Sequence, residues 1–368
     1  MKKIVLILSI AVLAAACENT IKYEYDKNDG ELTLLAQMST SDTQHSIYLA
    51  WSYPDRVETV EGASVTCTIN GVKHITTEVV ITPPEENVYY FQPRYTEYKF
   101  SGRFKAGDEV VVEASKGNKK ASATFTVPPA PILSKVDTAS VVKTVHYSDL
   151  FDSEANDYVF LEVAAQIRDL QGEDNYYVMN CNNNTYAVNQ WLDDDGKLIQ
   201  ENKMENHIQV RYETFGDHIL EDGYATQAGS LLADLLPTNV WHGFSDKQFT
   251  DKDAEVKFYI DEYYTGPGHY RWALPYDSSA SNLHIESFLE VKLGSITRDF
   301  YNYLRALNNL STYGYDVSVI IEPTMIPSNV VGGYGLVTVI SEAVVTLKIV
   351  DEYYDTGVPY DPYYYGPE

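Results

Sequence analysis

Short segments in which apolar and polar residues alternate fill the chain from Glu31 onward. Alternation of this kind puts one face of a strand in a core and the other in solvent, so it predicts half-buried β-strands. Two turn signals separate neighbouring strands: Asn70-Gly71, whose residues both tolerate positive φ, and the KGNKK segment at 116–120. About seven strands in this region favour an immunoglobulin-like β-sandwich over residues 31–130.

Consecutive prolines in PPAPI at 128–132 interrupt the pattern, because proline removes a hydrogen-bond donor from any strand ladder and stiffens the chain. We therefore place a domain boundary there and assign residues 131–352 to a larger β-rich domain. Its alternating runs leave open whether this domain is a sandwich or a barrel. The DDDGK segment at 193–197 predicts a tight turn, and the tyrosine-rich, proline-broken residues 353–368 predict a flexible tail.

One amphipathic helix is predicted inside the second domain, in the segment SITRDFYNYLRALNNLS. Ser295 is a suitable N-cap, because its hydroxyl can accept a hydrogen bond from a free backbone N–H of the first turn. Spacings of three and four residues place the apolar side chains on one face, namely those of Ile296, Phe300, Leu304, Leu307 and Leu310. A shorter helical turn is predicted in SLLADLL at 230–236. The fold class is therefore all-β with one inserted helix.

The N-terminus has the layout of a secretory signal: two lysines, an apolar run up to Ala16, and small residues before Cys17. The run is shorter than the about 20 apolar residues that a membrane-spanning helix needs. LAAAC resembles a bacterial lipobox, whose cysteine becomes the acylated first residue of the mature chain. The alternative is an ordinary signal peptide with a cysteine near its cleavage site. We assign residues 1–16 to the signal peptide, Cys17 to lipidation and residues 17–30 to a polar tether.

The residues beyond the anchor bear on location and on partners. Glu18 follows the cysteine, so the aspartate that retains many enterobacterial lipoproteins in the inner membrane is absent, and an outer-membrane location is expected. Whether the protein would face the periplasm or the cell surface stays open. The formal charge of −26 excludes nucleic acid as a partner, because affinity for nucleic acid depends on neutralising phosphates with Lys and Arg. The same negative charge repels anionic lipid surfaces, so attachment to the membrane is expected through the acyl anchor alone.

Cys67 and Cys181 are the other two cysteines. They are separated by the predicted domain boundary, which favours two buried free thiols. A disulfide between them is the alternative, since the periplasm is oxidising.

No motif for catalysis or cofactor binding occurs in the sequence. The eight histidines are scattered and form neither an HExxH motif nor an H-x-H pair. The chain is therefore predicted to be no enzyme, with no cofactor and no metal site. With 53 Asp and Glu residues, a close carboxylate pair is expected by chance and indicates no glycosidase. Asp193, Asp194 and Asp195 offer calcium ligands, but they lack the spacing of an EF-hand, and a solvated turn is the alternative.

The segment IPSNVVGGYG at 326–335 combines turn-forming residues with three glycines. Asn329, Gly332, Gly333 and Tyr334 are candidates for a loop that contacts a ligand. A bend that feeds the final strands is the alternative, since glycines permit backbone angles and close approaches that other residues resist.

Two C-terminal segments, VKLGSITRDFYNYLRALNNL and IPSNVVGGYGLVTVIS, resemble the signature of a family of Bacteroidota lipoproteins known as domain of unknown function 4249. FSDKQFTDKDAEVKFYI and GASVTCTINGV are similar to earlier parts of that family. The chain departs from the family in having Val331 before Gly332-Gly333, where the family has Asn and then Gly. The resemblance implies proximity to TonB-dependent outer-membrane transporters and a role in nutrient capture or outer-membrane assembly in the cell envelope, and it brings no catalytic residues.

These observations favour a non-catalytic accessory lipoprotein of the outer membrane. It would bind a partner protein, such as a transporter, or a nutrient ligand, such as a glycan or peptide. Trp191, Trp241 and Trp272 could stack on sugar rings, with core packing as the alternative for each. Two other functions remain open: a surface polysaccharide hydrolase that uses paired carboxylates, and an adhesin or pilus-type structural subunit.

Overall fold

The computed structural model describes residues 30–53, 56–79, 95–145, 156–170, 172, 174–192, 195–224, 238–265, 282–313 and 325–355. The earlier strands are β1 (Glu31–Ser39), β2 (Gln44–Ser52), β3 (Val57–Thr59), β4 (Ser64–Ile69), β5 (Val72–Ile75), β6 (Thr77–Val79), β7 (Thr96–Ser101), β8 (Glu109–Lys116) and β9 (Lys119–Thr126). The later strands are β10 (Ile132–Val145), β11 (Asn156–Arg168), β12 (Tyr176–Leu192), β13 (Leu198–Gln209), β14 (Gly243–Ser245), β15 (Asp253–Asp261), β16 (Asn282–Ile296) and β17 (Tyr334–Asp355). The α-helices are α1 (His218–Glu221), α2 (Glu262–Thr265) and α3 (Arg298–Tyr313), and a 3-10 turn covers Asp246–Gln248.

The first part of the chain is the predicted sandwich. A sheet containing β1, β2, β7 and β6 faces a second sheet of order β5-β4-β8-β9. Their alternating residues interleave in one core, to which Leu34, Leu49 and Val112 contribute fully buried side chains. The expected hairpins connect β4 to β5 and β8 to β9. In the first hairpin, Asn70 and Gly71 have φ values of 49° and 78°, as a two-residue turn of this kind requires.

The second part of the chain is a sandwich as well. Strands β13, β12, β16 and β17 are neighbours in one sheet, and β10, β11 and β15 form another. A second core contains Met179, Leu289 and Val291 from the first of these sheets and Val163 and Phe258 from the other. The described strands form open sheets, and none of these sheets closes on itself. The all-β prediction is confirmed. Of the two alternatives for the second domain, the described strands form the sandwich and not the barrel.

One strand belongs to both sandwiches. The first part of β17 pairs in parallel with β1, from Thr33↔Tyr334 to Ser39↔Ile340. Its remainder pairs antiparallel with β16, from Ser295↔Ser341 onward. A single sheet of ten strands therefore runs through the molecule. The division of the chain at about residue 130 stays a prediction, and β17 crosses it.

Helix α3 begins later than the sequence predicts. Ser295 is wrong as its N-cap, because this residue is still part of β16 and pairs with β12 and β17. The Thr297 hydroxyl accepts a hydrogen bond from the Phe300 N–H at 3.3 Å and caps the helix instead. Phe300 and Leu304 are buried as expected, whereas Leu310 is 40% exposed.

Close packing holds α3 on the sheet. A Cβ added at Gly294 would lie 2.5 Å from the Ile340 Cγ2 atom, and one at Gly243 would lie 2.9 Å from the Leu304 Cδ1 atom. Glycine at these two positions lets the strands and the helix approach closely.

Several predicted elements lie outside the described residues: the signal peptide, the tether as far as residue 29, and the helical turn at 230–236. The DDDGK turn is confirmed in that β12 and β13 form a hairpin around it. Strand β17 extends to Asp355, so the first residues assigned to the tail are strand, and residues 356–368 lie outside the description.

Both described cysteines are free and buried, which confirms the first of the two alternatives. Cys67 lies in the core of the first sandwich and Cys181 in that of the second. Burial raises the pKa of the Cys67 thiol to about 12 and raises that of Cys181 further, so neither is a reactive thiolate near neutral pH.

His242 predicts a pH dependence of stability. Its ring stacks on Tyr212 with centroids 4.0 Å apart, and its Nδ1 is buried without a hydrogen-bond partner among the described residues. Burial lowers its pKa from 6.5 to about 4, so the unfolded state takes up a proton more readily than the folded state. This contribution to stability is present above pH 6.5 and is lost as the pH falls toward 4, by up to about 3 kcal/mol at 1.36 kcal/mol per pKa unit.

The variant His242→Asn removes the titration, and Asn tolerates the φ of 54° at this position. Chemical denaturation between pH 7 and pH 4 is therefore expected to show a smaller loss of unfolding free energy in this variant than in the wild type. His207→Asn, a change of an exposed histidine, is the control and should keep the wild-type slope. Equal slopes for the wild type and His242→Asn would contradict the assignment.

Candidate functional site

The glycine-rich segment at 326–335, here named the signature segment, leads into β17 and is hydrogen-bonded to both sheets of the first sandwich. The Asn329 amide donates to the Val337 carbonyl at 2.7 Å, and its oxygen accepts from the Val337 N–H at 2.9 Å. Val331 exchanges two backbone hydrogen bonds with Ser122 of β9, at 3.0 and 2.7 Å. Asn329 thus acts as a strand partner for the start of β17 and fixes its entry into the sheet.

The glycines of this segment lie directly against neighbouring backbone. An added Cβ would be 2.4 Å from the Lys120 carbonyl oxygen at Gly332, 2.2 Å from that of Leu32 at Gly333, and 2.1 Å from that of Leu34 at Gly335. Such distances leave room for hydrogen only, which supports the bend interpretation. Tyr334 is 57% exposed, and contact of this loop with a ligand stays a prediction.

The helix part of the signature also has a structural role. The Asp222 carboxylate accepts from the Tyr301 hydroxyl at 2.5 Å and from the Arg305 guanidinium at 3.2 Å. Asn308, fully buried, donates to the side-chain oxygen of Asn239 at 2.8 Å. These side chains join α3 to the segments around it, because buried polar groups need such partners.

A second surface is defined by side-chain alternation in the second sandwich. Residues paired across antiparallel strands project from the same side of the sheet, so four strands present one common surface, here named the outer face. It comprises Asn180, Asn182, Asn184, Tyr186 and Val188 of β12; His284, Glu286, Phe288, Glu290 and Lys292 of β16; Glu205, His207 and Gln209 of β13; and Val344, Thr346, Lys348, Asp351 and Tyr353 of β17.

The opposite side of the same strands is the core. Cys181, Ala187, Leu289 and Val291 alternate with outer-face residues and are fully buried. Helix α3 covers only the end of the outer-face side near Val178, where it packs in a separate apolar cluster. The rest of the outer face consists of half-buried and exposed side chains in the described part of the chain.

Aromatic rings form the centre of the outer face. Tyr186 meets Phe288 edge-on at a centroid distance of 6.0 Å and meets His207 edge-on at 5.9 Å. At its far end, the rings of His284 and Tyr353 are stacked at 4.0 Å, with an angle of 3° between their planes. Tyr353 is 70% exposed, so its other side is open to solvent.

Amide side chains surround the rings. Asn180, Asn182 and Asn184 recur at every second position of β12, which places them about 7 Å apart along the strand. The Asn184 Oδ1 and the His207 Nδ1 are 2.8 Å apart, and Gln209 donates to the Asn180 Oδ1 at 3.3 Å. Rings and amides therefore lie side by side on one surface.

An ionic cluster occupies one end of the outer face. The His284 Nε2 and the Asp351 Oδ1 are 2.7 Å apart. The Lys348 Nζ is 2.6 Å from the Asp351 Oδ2 and 2.6 Å from the Glu286 Oε1. The hydrogen bond from His284, followed by that from Lys348, lowers the pKa of Asp351. Hydrogen bonds to Asp351 and Glu286 raise that of Lys348.

A different carboxylate pair is buried at the ends of β11 and β14. Asp169 and Asp246 are 4% and 3% exposed. Asn175 contacts both, and the Asp169 Oδ2 accepts from the Asp251 N–H at 2.7 Å. Burial raises the pKa of Asp246. Since these carboxylates serve neighbouring backbone groups and are closed to solvent, they offer a polymeric substrate no access.

The other residues singled out by sequence are scattered. Trp241 is 47% exposed, while the side chain of Trp191 and all of Trp272 lie outside the description. Asp195 belongs to the β12–β13 turn, whereas Asp193 and Asp194 lie outside the described residues, as does Cys17. Of the three predicted stacking residues, only the Trp241 side chain is described, and a shared stacking surface stays a prediction.

Sequence reasoning missed the outer face, although two signals were present. Polar residues at alternate positions of NCNNNTYAV at 180–188 indicate a strand with a hydrophilic outer side. The H-x-E pattern at 284–286 places two potential metal ligands on one side of a strand, as an H-x-H pair would. Their partner Asp351 is distant in sequence and could be found only from the pairing of β16 with β17.

Residues 18–345 match the family model described as domain of unknown function (DUF4249). The chain belongs to that family. No curated protein matches the chain. The match includes both sandwiches except the end of β17, together with the signature segment and most of the outer face; Lys348, Asp351 and Tyr353 lie beyond it. None of the described helices has the length and apolarity needed to span a bilayer.

Replacing Gly335 of the signature segment by alanine is expected to reduce the stability of the fold strongly. Gly335 has a φ of 122°, and a methyl group there would overlap the Leu34 carbonyl oxygen. Gly335→Ala is expected to lower the free energy of unfolding by about 3 kcal/mol, since both the backbone angle and the contact are unfavourable. Gly117→Ala is the control: its φ is 60°, but no atom lies within 4 Å of the added Cβ, and about 1 kcal/mol is expected. Equal losses in urea denaturation would exclude close backbone packing as the reason for Gly335.

Proposed function

We propose that this DUF4249 protein is a non-catalytic accessory lipoprotein of the outer membrane that binds a neutral glycan on the outer face. The observation that carries this proposal is the grouping of aromatic rings and amide side chains on one sheet surface whose described residues are half-buried or exposed. Cys17 would carry the acyl anchor, and multiple acyl chains give stable attachment where one chain is marginal.

The chemistry of the outer face suits a sugar chain. A hexose presents C–H groups on its ring faces and hydroxyls around its rim. The rings of Tyr186, Phe288 and Tyr353 offer apolar surface for the C–H groups. The hydroxyls of the two tyrosines can form hydrogen bonds with the sugar hydroxyls. The outer-face side chains of Asn180, Asn182 and Asn184 each contain a carbonyl acceptor and an NH₂ donor, which matches the dual character of a sugar hydroxyl.

Charge restricts the ligand further. The outer face carries the carboxylates of Glu205, Glu286, Glu290 and Asp351 against only two lysines, Lys292 and Lys348. The chain as a whole has a formal charge of −26. An anionic polymer would be repelled by this surface, and a neutral glycan would not.

Backbone pairing argues against an extended peptide as the ligand of this surface. Peptides that bind sheets commonly add a strand at a free edge, where backbone N–H and C=O groups are available. Strands β12 and β16 are paired on both sides, so their backbone groups are already used. Recognition at the centre of the outer face, on β12 and β16, must therefore proceed through side chains.

The first sandwich has a different part in this proposal. It follows the tether and shares β17 with the second sandwich, so it would position the outer face at a fixed distance from the membrane. Proximity to a TonB-dependent transporter, implied by the family resemblance, makes delivery of the bound glycan to such a transporter the proposed role.

Binding to neutral polysaccharides tests the ligand. The double variant Tyr186→Ala/Phe288→Ala is expected to weaken binding in affinity electrophoresis or calorimetry at least tenfold, with each ring contact contributing about 1 kcal/mol. Tyr334→Ala, which removes an exposed ring from the signature segment, is the matched control and should retain wild-type affinity. Loss of binding in Tyr334→Ala alone would place the ligand at the signature loop. A wild-type protein that binds no neutral glycan in a broad panel would refute the proposal.

Membrane attachment tests the anchor separately. In the native host, Cys17→Ala is expected to move the protein from the outer-membrane fraction to the soluble fraction, because the acylated residue is lost. Cys67→Ala, a change at a buried thiol, should leave the protein in the membrane fraction. Intact mass spectrometry of the wild type should show the added acyl mass at residue 17, and an unmodified cysteine there would exclude lipidation.

A further inference from the structure

We propose that His284, Glu286 and Asp351 form a binding site for a divalent transition-metal ion of the zinc type. The proposal goes beyond glycan binding and does not depend on it. His284 and Glu286 are two residues apart on β16, so their side chains project from the same side of the strand. Asp351 is paired directly with Glu286 across the β16–β17 ladder.

The ligand atoms are already close together. One imidazole nitrogen and two carboxylate oxygens all lie within 4.8 Å of one another. Zinc binds nitrogen and oxygen ligands at about 2.0–2.2 Å in a tetrahedron, so its ligand atoms are somewhat over 3 Å apart. Small side-chain rotations suffice to reach that geometry, because the His284 Nε2 and the Asp351 Oδ1 are 2.7 Å apart from the outset.

The histidine is held in place before any ion binds. Its side chain is only 11% exposed, and its ring lies flat against that of Tyr353. A ligand fixed by packing loses little conformational freedom when it coordinates a metal. The carboxylates are at the surface, with Asp351 50% exposed, so an ion can enter from solvent.

A cation already bridges the two carboxylates. The Lys348 ammonium contacts both Glu286 and Asp351, which shows where positive charge is stabilised in this cluster. Lys348 is 37% exposed and has a flexible side chain, so its ammonium can move to solvent when a doubly charged ion replaces it. The lysine therefore competes with the metal and lowers its apparent affinity.

The ligand set selects the class of metal. Calcium and magnesium prefer six or more oxygen ligands, whereas imidazole together with carboxylates suits zinc and neighbouring transition metals. Three protein ligands leave a position open on the solvent side, as in sites that keep a water or an exogenous group.

Calorimetric titration of zinc into the chelator-treated full-length protein tests the site. The wild type should bind one ion per chain. His284→Ala and Glu286→Gln should each lower the affinity at least tenfold, while Lys348→Met should raise it several-fold because the competing ammonium is gone. Circular dichroism without metal checks that each variant is folded. If His284→Ala disturbs the sheet, the surface change Glu286→Gln still tests whether a ligand is lost.

The matched control is His207→Ala. His207 lies on the same outer face and also pairs with a carboxylate, Glu205, at 2.8 Å, but Asn184 occupies its other ring nitrogen. Its loss should leave zinc affinity unchanged. Absorption bands of bound cobalt in the visible range should be present in His207→Ala and lost in His284→Ala. Absence of binding by the wild type, equal affinity in His284→Ala, or no gain in Lys348→Met would overturn the proposal.

Discussion

The architecture depends on the pairing of β17 with strands of both sandwiches. Strand β17 pairs with β1 of the first sandwich and with β16 of the second, so one continuous sheet supports both sandwiches. Its entry requires that Gly333 and Gly335 lie against the carbonyl oxygens of Leu32 and Leu34 without a side chain between them. Asn329 secures that entry, because the NH₂ and the oxygen of its side-chain amide both form hydrogen bonds with the Val337 backbone. The signature segment is thus a requirement of strand insertion.

The same strand completes the candidate site. Lys348, Asp351 and Tyr353 reach the outer face only because β17 runs beside β16 in the observed register. A shift by one residue would turn each of them toward the core and expose the apolar residues that alternate with them. In sheet order, β16 is separated from β1 by β17 alone, so backbone hydrogen bonds join the outer face to the first strand of the first sandwich.

The helix signature and the outer face have separate physical roles. Tyr301, Arg305 and Asn308 satisfy buried polar partners and keep α3 on one end of the sheet. The residues of the outer face are instead half-buried or exposed, and their rings and amides form the surface on which we propose ligand binding. Among the described elements, α3 covers the Val178 end of this side of the sheet.

The sequence alone determined the local structure. Alternation gave the strands, Asn70-Gly71 and the DDDGK segment gave their turns, and the apolar spacing around Phe300 and Leu304 gave the helix, because these are properties of neighbouring residues. It could not determine that Ser295 remains in a strand rather than capping that helix, since cross-strand pairing overrides a capping preference. Nor could it assign β17 to both sandwiches or bring Asp351 beside His284. Those contacts join residues far apart in the chain, and only the hydrogen-bond register of the folded sheet sets them.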